Sequence, residues 1–353
     1  MLIGVDLGGT KCAGVVLSDD NAVVAEAVRP TPIGGDAVLA TIIEVIEELV
    51  ARAETRAETQ AETQAETQAA VRADGAQQPV RIGVGVPGLV TPDGILRFAP
   101  HLFGVREVPL RDLLRARLPG GAHVVVENDN TAATWGERMA GAAGGVDDVL
   151  YVGLGTGIGG GIISGGALQR GHHGFAGEVG HMTVDRNGER CVCGRRGCWE
   201  LVASGNALSR MAGRAGEDVT AAARAGDPQA LDVLDRFAGA VASGLSNLIV
   251  TLDPALVVLG GGVLDPPEPL LGLIRTRLSP SLGDAGSHRP RPDIRAAELG
   301  RRAGAIGAAL LARDHSSAAP TSGTAVSVTA VGVARGVDQI GPGRDVGAAE
   351  QPS

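Results

Sequence analysis

The chain has 353 residues and a net charge of −9 at neutral pH, and 44% of its residues are apolar although only seven are aromatic. This length is typical of about two domains, and the apolar content is sufficient for a large core, which excludes global disorder. The acidic balance and the scarcity of aromatic side chains argue against a nucleic-acid partner, and four cysteines are too few for a disulfide-rich secreted fold.

Neither a membrane-spanning helix nor a secretory signal is predicted. The apolar runs are shorter than 18 residues, and the first five residues lack the basic and long apolar regions of a signal peptide. We therefore expect a soluble cytoplasmic protein with reduced thiols and no membrane partner.

The N-terminal part of the chain predicts strands followed by one long helix. Strands are expected at 2–7, 15–17 and 23–27, joined as a hairpin that differs from the βαβ unit of dinucleotide-binding proteins. From Asp36, apolar residues recur at helical spacing. The Ala-Glu-Thr-Gln repeats of residues 53–70 carry no apolar stripe, so we expect a solvated helical or flexible insertion without chemistry.

The rest of the chain alternates predicted strands and helices. Strands are expected at 80–86, 124–126, 149–154 and 256–259, and helices at 110–118, 231–252 and 303–311. Residues 315–353 are rich in Ser, Ala, Pro and Gly, which predicts a mostly disordered tail. The alternation predicts an α/β fold.

Three glycine-rich turns follow predicted strands, and together they favour nucleotide binding. Backbone N–H groups of such turns can approach phosphate oxygens, and an aspartate beside one can hold Mg²⁺. Any one turn could be only a hairpin, and the second continues into a strand, unlike a dinucleotide fingerprint. The residues are Asp6, Gly8, Gly9, Thr10 and Lys11; Gly155, Thr156 and Gly157; and Gly260, Gly261 and Gly262.

Two further clusters carry chemistry. His181, Cys191, Cys193 and Cys198 fall within 18 residues, which suits a closed, structural Zn²⁺ site better than a disulfide or buried thiols. Asn128 and Asp129 follow a buried strand, where ligands bind in open α/β sheets. Asp129 is a candidate general base, although an Asn or Asp before Thr131 could equally be a helix cap.

The motifs resemble those of the ROK family of bacterial sugar kinases and repressors, with ATP-dependent glucokinases the most similar members. The resemblance extends from Leu2 to about Leu311. Its motifs are Asp-Leu-Gly-Gly-Thr-Lys at 6–11, Val-Pro-Gly at 86–88, Glu-Asn-Asp at 127–129, Leu-Gly-Thr-Gly-Ile-Gly-Gly-Gly at 154–161, Glu-Val-Gly-His at 178–181 and Cys-x-Cys-Gly-x-x-Gly-Cys-x-Glu at 191–200.

The resemblance implies an actin-like ATPase fold, with two RNase H-like α/β domains and a cleft between them. It implies an N-terminal domain at 1–117, a C-terminal domain at 118–300 with a zinc loop at 181–200, and a helix at 301–313 that returns to the first domain. By the same resemblance, ATP and Mg²⁺ bind at the glycine turns and Asp129 takes the proton of the sugar 6-hydroxyl. The implied sugar-binding residues are Gly88, His101, Asn128, Asp129, Glu178, His181 and Glu200.

The expected reaction is phosphorylation of glucose to glucose 6-phosphate, with three alternatives left open. His101 stands where the family usually has Asn, so another sugar such as fructose, mannose or N-acetylmannosamine is possible. A transcriptional repressor is disfavoured because Asp6 leaves no room for a preceding DNA-binding domain, and a non-catalytic sugar sensor is a weaker alternative. Polyphosphate could replace ATP as the donor, and the resemblance implies a homodimer or homotetramer.

Overall fold

Two five-stranded sheets with the same strand pattern form the frame of the protein. The structure is a computed structural model that describes residues 1–65, 80–99, 102, 106–118, 121–283, 288 and 290–314. The first sheet consists of β1 (Leu2–Leu7), β2 (Lys11–Leu17), β3 (Val23–Pro30), β4 (Arg81–Val86) and β8 (His123–Asn128), in the order β3-β2-β1-β4-β8. The first three strands are antiparallel, whereas β1, β4 and β8 run parallel.

The second sheet repeats this arrangement. It consists of β9 (Val149–Leu154), β10 (Ile158–Ser164), β11 (Ala167–Leu168), β12 (Leu256–Gly260) and β13 (Asp293–Ala296), in the order β11-β10-β9-β12-β13. Again β9, β10 and β11 are antiparallel, whereas β9, β12 and β13 run parallel. A small antiparallel sheet holds β5 (Leu89–Val90), β6 (Leu96–Phe98) and β7 (Arg106–Val108). We call the halves built on the two large sheets the first lobe and the second lobe.

Nine α-helices lie in the described part of the chain. They are α1 (Gly35–Ala65), α2 (Leu110–Arg117), α3 (Asp129–Ala140), α4 (Glu200–Ala203), α5 (Gly205–Ala212), α6 (Gly216–Arg224), α7 (Pro228–Leu252), α8 (Leu270–Ser281) and α9 (Ala303–Asp314). The predicted helices at 110–118, 231–252 and 303–311 correspond to α2, α7 and α9 within a few residues at each end.

Each lobe has its own aliphatic core. In the first lobe, Ile42, Val45, Ile46 and Leu49 recur on one face of α1 and are fully buried against the first sheet. Their spacing follows the 3.6-residue period of the helix, which is why the sequence pattern located this helix. In the second lobe the helices α4 to α8 cover the sheet, and Trp199 and Phe237 are the largest side chains in that core.

The helix α7 bears directly on the prediction that no helix of the chain spans a membrane. By length and composition it is apolar enough to cross a membrane, and it is the one such helix among the described residues. Leu234, Phe237, Val241 and Leu245 on this helix are nevertheless fully buried in the second lobe. Its apolar character therefore has a sufficient explanation in core packing.

The last helix, α9, connects the lobes. It packs against α3 and against β1 and β4 of the first sheet, and most of its residues are buried. The residues before it are fixed by the buried carboxylate of Glu137 on α3. This carboxylate accepts hydrogen bonds from the backbone N–H groups of Ala142, Glu298 and Leu299 at 2.8, 3.1 and 2.9 Å.

The predicted domain limits need one correction. The boundary at residues 117/118 falls before β8, but β8 pairs with β4, so the first sheet extends to Asn128. Of the predicted insertion at 53–70, residues up to Ala65 continue α1, and the remainder lies outside the described residues. The predicted tail at 315–353 also lies outside them. The division into two domains stays a prediction.

Candidate active site

A cavity of about 660 Å³ is lined by residues from both lobes. All three predicted glycine turns contribute to its wall, with Thr10 and Lys11 from the first, Gly155 and Thr156 from the second, and Gly261 and Gly262 from the third. The volume lies within the range of about 300–1,000 Å³ that is typical of small-molecule sites. The structure thus brings together three segments that are far apart in the sequence.

Four predicted phosphate-binding glycines are in these turns but do not line the cavity. Gly8, Gly9, Gly157 and Gly260 are absent from its wall. The Gly8 N–H donates to the Lys11 carbonyl oxygen at 2.8 Å, which closes the first turn. At Gly260 a Cβ atom would come within 2.4 Å of the Tyr151 hydroxyl. These two glycines therefore shape the turns around the cavity.

One wall of the cavity was not predicted from the sequence. It is built by α5, α6 and the turn before α9, and it includes Asn206, Ser209, Glu217, Thr220 and Arg301. The start of α5 is joined to the second glycine turn, because the Gly205 N–H donates to the Gly155 carbonyl oxygen at 2.7 Å. No short motif marks this wall, since ordinary amphipathic helices supply it.

Asp129 is the first residue of α3 and lines the cavity. The helix cap is Asn128, whose Oδ1 accepts hydrogen bonds from the backbone N–H groups of Asn130 and Thr131 at 2.9 and 3.0 Å. Asp129 Oδ1 accepts from the Asn130 backbone N–H at 2.8 Å and from Asn130 Nδ2 at 3.0 Å. The alternative of a helix cap before Thr131 is therefore met by Asn128 and not by Asp129. Its carboxylate projects at a helix N-terminus, where negative charge is favoured.

Asp6 lies in the same cavity and has a perturbed acidity. The pKa of Asp6 is raised from 3.8 to about 7, chiefly by burial and also by the nearby charge of Asp129, while Lys11 opposes the shift. Two carboxylates that disfavour each other's ionisation form a site that a cation would stabilise.

A second group of acids lies beside Asp129. The pKa of Glu178 is raised from 4.5 to about 7, chiefly by burial and also by the charges of Asp129 and Glu200. His181 lies between the two glutamates: its Nε2 is 3.9 Å from Glu178 Oε2, and its Nδ1 is 3.5 Å from Glu200 Oε1. The structure therefore assembles Asp129, Glu178, His181 and Glu200 into one polar cluster.

Asn128 and Gly88 also meet at this cluster. Asn128 Nδ2 donates to the Gly88 carbonyl oxygen at 3.1 Å. Gly88 has a φ of +107°, and a Cβ atom there would approach the Phe98 carbonyl oxygen to 2.2 Å, so only glycine fits. The remaining predicted sugar-binding residue, His101, lies outside the described residues.

The predicted zinc ligands converge on one point. One ligand atom each from His181, Cys191, Cys193 and Cys198 all lie within 4.8 Å of one another. Cys191 Sγ is 3.6 Å from His181 Nδ1, and Cys193 Sγ is 3.6 Å from Cys198 Sγ. A tetrahedral zinc ion with Zn–S bonds of about 2.3 Å holds its sulfur ligands about 3.7 Å apart. The donor set and its spacing fit zinc.

Comparison with known proteins agrees with this geometry. The ROK family model matches residues 2–315. The glucokinase of Streptomyces coelicolor is 35% identical over 338 residues, which covers 89% of this chain and 98% of that protein. The N-acetylmannosamine kinase of Escherichia coli O1:K1 is 30% identical over 324 residues, which covers 88% of this chain and 98% of that protein.

A solved structure supports the same relationship. The ROK family glucokinase from Streptomyces griseus, in complex with glucose and AMPPNP, superposes with a TM-score of 0.75 at 36% identity. The match covers 89% of this chain and 99% of that one. The predicted actin-like ATPase fold is confirmed.

Proposed function

The chain belongs to the ROK family, and we propose that it transfers the γ-phosphoryl group of ATP to the 6-hydroxyl of a hexose, with glucose as the preferred acceptor. One observation carries the proposal: Asp129 lines the cavity enclosed by the glycine turns and also lies close enough to Glu178 to raise its pKa. A single carboxylate thus faces both a nucleotide-sized cavity and a cluster of sugar-type ligands.

The cavity suits a nucleoside triphosphate. Its backbone turns supply N–H groups for phosphate oxygens, and Lys11, the one lysine of the chain, adds a positive charge. The S. griseus glucokinase was solved with AMPPNP, which supports ATP as the donor here. Asp6 is a suitable ligand for Mg²⁺, directly or through water, and the ion would neutralise phosphate charge.

The polar cluster suits a sugar. A hexose presents a ring of hydroxyls, each a donor and an acceptor, so fixed carboxylate, amide and imidazole groups can read it. We assign Asn128, Glu178, His181, Glu200 and the backbone at Gly88 to this task. His181 directs Nδ1 toward the cysteines and Nε2 toward Glu178, so one nitrogen can bind zinc while the other faces the sugar.

The chemistry needs little beyond positioning and one base. Asp129 accepts the proton of the sugar 6-hydroxyl while the oxygen of that hydroxyl forms a bond to the γ-phosphorus. The bond from the γ-phosphorus to the bridging oxygen breaks, and ADP is released. Phosphoryl transfer depends mostly on alignment and charge stabilisation, and a general base contributes about 10²–10⁴-fold in rate. Zinc would be held by His181, Cys191, Cys193 and Cys198 and would act as a structural cross-link.

The alternatives differ in the acceptor and in whether turnover occurs. The similarity to an N-acetylmannosamine kinase is consistent with a sugar other than glucose as the acceptor. His101, which stands where the family usually has Asn, is the residue that bears on this choice. A sugar sensor without activity would keep the polar cluster but would not need Asp129 as a base. We expect a cytoplasmic homodimer or homotetramer, by analogy with the family.

The test is ATP-dependent phosphorylation across glucose, mannose, fructose, glucosamine, N-acetylglucosamine and N-acetylmannosamine, with the product position assigned by phosphorus NMR. We expect the highest kcat/KM for glucose and a product phosphorylated at the 6-hydroxyl. A higher kcat/KM for another sugar would make that sugar the preferred acceptor and would leave the proposed mechanism unchanged. Absence of turnover on every sugar, with ATP or polyphosphate, would overturn the proposal.

A further inference from the structure

A partly buried ion pair joins the lobes beside the polar cluster. Glu127 is on β8 in the first lobe, and Arg170 follows β11 in the second. Arg170 Nε donates to Glu127 Oε2 at 2.5 Å, and the Glu127 side chain is only 8% exposed while that of Arg170 is 28% exposed. A short charge-assisted hydrogen bond of this kind fixes geometry as well as supplying energy.

On the first-lobe side, Glu127 directly precedes the residues proposed for base and sugar binding. Its other oxygen, Oε1, accepts the backbone N–H of Asn128 at 3.1 Å. Asn128 in turn caps α3, which begins with Asp129, and reaches the Gly88 carbonyl oxygen. The orientation of the Glu127 carboxylate therefore constrains the peptide that carries the proposed base.

On the second-lobe side, Arg170 begins the loop that leads to Glu178. The Ala176 N–H donates to the Arg170 carbonyl oxygen at 3.0 Å, which closes this loop on itself. Gly174 within the loop has a φ of +87°, and a Cβ atom there would come within 2.4 Å of the Val90 carbonyl oxygen of the first lobe. The loop therefore rests on the first lobe at two points, Arg170 and Gly174.

The Arg170 guanidinium is incompletely satisfied. Its Nη2 atom is buried and has no hydrogen-bond partner among the described residues. An unpartnered buried donor is costly, so it calls for an explanation in the structure. The low exposure of the Glu127 side chain separates this pair from the other arginine–carboxylate pairs of the described residues, whose carboxylate side chains are at least 27% exposed.

We propose that Glu127 and Arg170 are positioning residues that hold the two halves of the sugar site in register. The inference rests on the proposed sugar-kinase function. Glu127 sets the peptide before Asp129, Arg170 sets the start of the loop that carries Glu178, and their contact fixes the distance between base and sugar-binding acid. Apart from Asp129, Asn130 and Ala133 on α3, the residues that line the nucleotide cavity lie on other segments.

The test compares Glu127→Gln, Arg170→Gln, the double variant and Arg170→Lys with the wild-type enzyme. We expect each single Gln variant to raise KM for the best sugar substrate about 10- to 100-fold, because the groups that bind the sugar would no longer be held in register. KM for ATP should stay within about twofold. Arg170→Lys keeps the charge and should retain part of the sugar affinity, and the double variant should be no worse than the poorer single one.

A matched control is the exposed pair Asp235 and Arg277, which joins α7 and α8. Asp235→Asn and Arg277→Gln should leave both KM values unchanged. If the wild-type enzyme is active, any of three results would overturn the inference and leave the proposed function intact. These are equal increases in KM for sugar and ATP, additive effects in the double variant, and no effect at all. A wild-type protein that phosphorylates no sugar would overturn the proposed function, and the inference with it.

Discussion

At the scale of single residues, the chemistry depends on where parallel strands end. β1, β4 and β8 run parallel, so Asp6, Gly88 and Asp129 reach the same edge of the first sheet. This juxtaposition could be predicted, because polar residues and glycines follow buried strands and the carboxyl ends of parallel strands meet at one edge. The raised pKa of Asp6 could not be predicted, because it depends on burial and on the distance to Asp129 in the folded chain.

The raised pKa of Asp6 predicts a pH-dependent stability. The folded protein keeps the proton on Asp6 up to about pH 7, whereas the unfolded chain loses it near 3.8. The folded state therefore binds more protons in this window, and its stability should fall as pH rises through it. Without Mg²⁺ and nucleotide, thermal unfolding between pH 5 and about pH 8 should show this decline, and Asp6→Asn should make it shallower.

The control for that experiment is Asp19→Asn, because Asp19 is exposed on the turn between β2 and β3. Its profile should coincide with the wild-type profile. Glu178 titrates in the same window, so a residual slope in the Asp6 variant is expected. Identical slopes for Asp6→Asn and wild-type protein would contradict the assignment.

Lys11 permits a direct chemical test of the nucleotide cavity. It is the one lysine in the chain and it lines the cavity. An acyl-phosphate derivative of ATP that acylates nearby amines should modify Lys11, and excess ATP should prevent the modification. Peptide mass spectrometry would locate the label, and Lys11→Arg should abolish it. Labelling at the N-terminal amine alone, or labelling insensitive to ATP, would place the nucleotide elsewhere.

At the scale of elements, the loop at 181–200 has little regular structure of its own. A short 3-10 turn at Val179–His181 leads into it, and two isolated bridges lie within it, Thr183 with Cys198 and Arg190 with Arg196. The spacing of its cysteines predicted one ligand set, and the fold brings the four predicted side chains together. A cross-link by zinc would order a segment that also carries His181 and precedes Glu200.

We therefore expect one zinc ion per chain. Cys193→Ser should remove the ion and lower the melting temperature, because the loop would lose its cross-link. Cys12→Ser is the matched control, since Cys12 is a buried residue of β2 and not a ligand. Metal analysis of the purified proteins decides the matter. Full zinc occupancy in Cys193→Ser, or a metal-free wild-type protein with unchanged stability and activity, would contradict the site.

Other elements of the site could not be predicted. The wall formed by α5 and α6 consists of amphipathic helices whose sequence pattern reports burial and not a ligand. Likewise, the partnership of Glu127 with Arg170 spans 43 positions and two lobes, and no local pattern connects them. Such contacts follow from the packing of whole elements.

At the scale of the whole molecule, two lobes with the same sheet order enclose one cavity, and α9 returns to the first sheet. The alternation of strands and helices predicted the fold class, and the family motifs predicted the duplicated lobes. The boundary at 117/118 was placed too early because β8 follows a helix, and only strand pairing reveals that it belongs to the first sheet.

A chain shortened to residues 1–317 tests whether these residues are sufficient for activity and stability. Residues 1–317 form one compact unit, and all residues that line the cavity precede residue 305. We expect kcat, both KM values and the melting temperature to match those of the full chain. A further truncation that removes α9 should not fold, because this helix covers β1 and β4. Loss of activity in the 1–317 chain would show that later residues contribute to the site.

The central claim is that Asp129 is the base of a sugar kinase. Its most direct test is kcat for Asp129→Asn relative to the wild-type enzyme at saturating glucose and Mg²⁺-ATP, with glucose binding checked by calorimetry. We predict a fall in kcat of about 10²–10⁴-fold with glucose binding largely retained, because the amide keeps the shape but cannot accept the proton. A kcat within about tenfold of the wild-type value would contradict the role of Asp129.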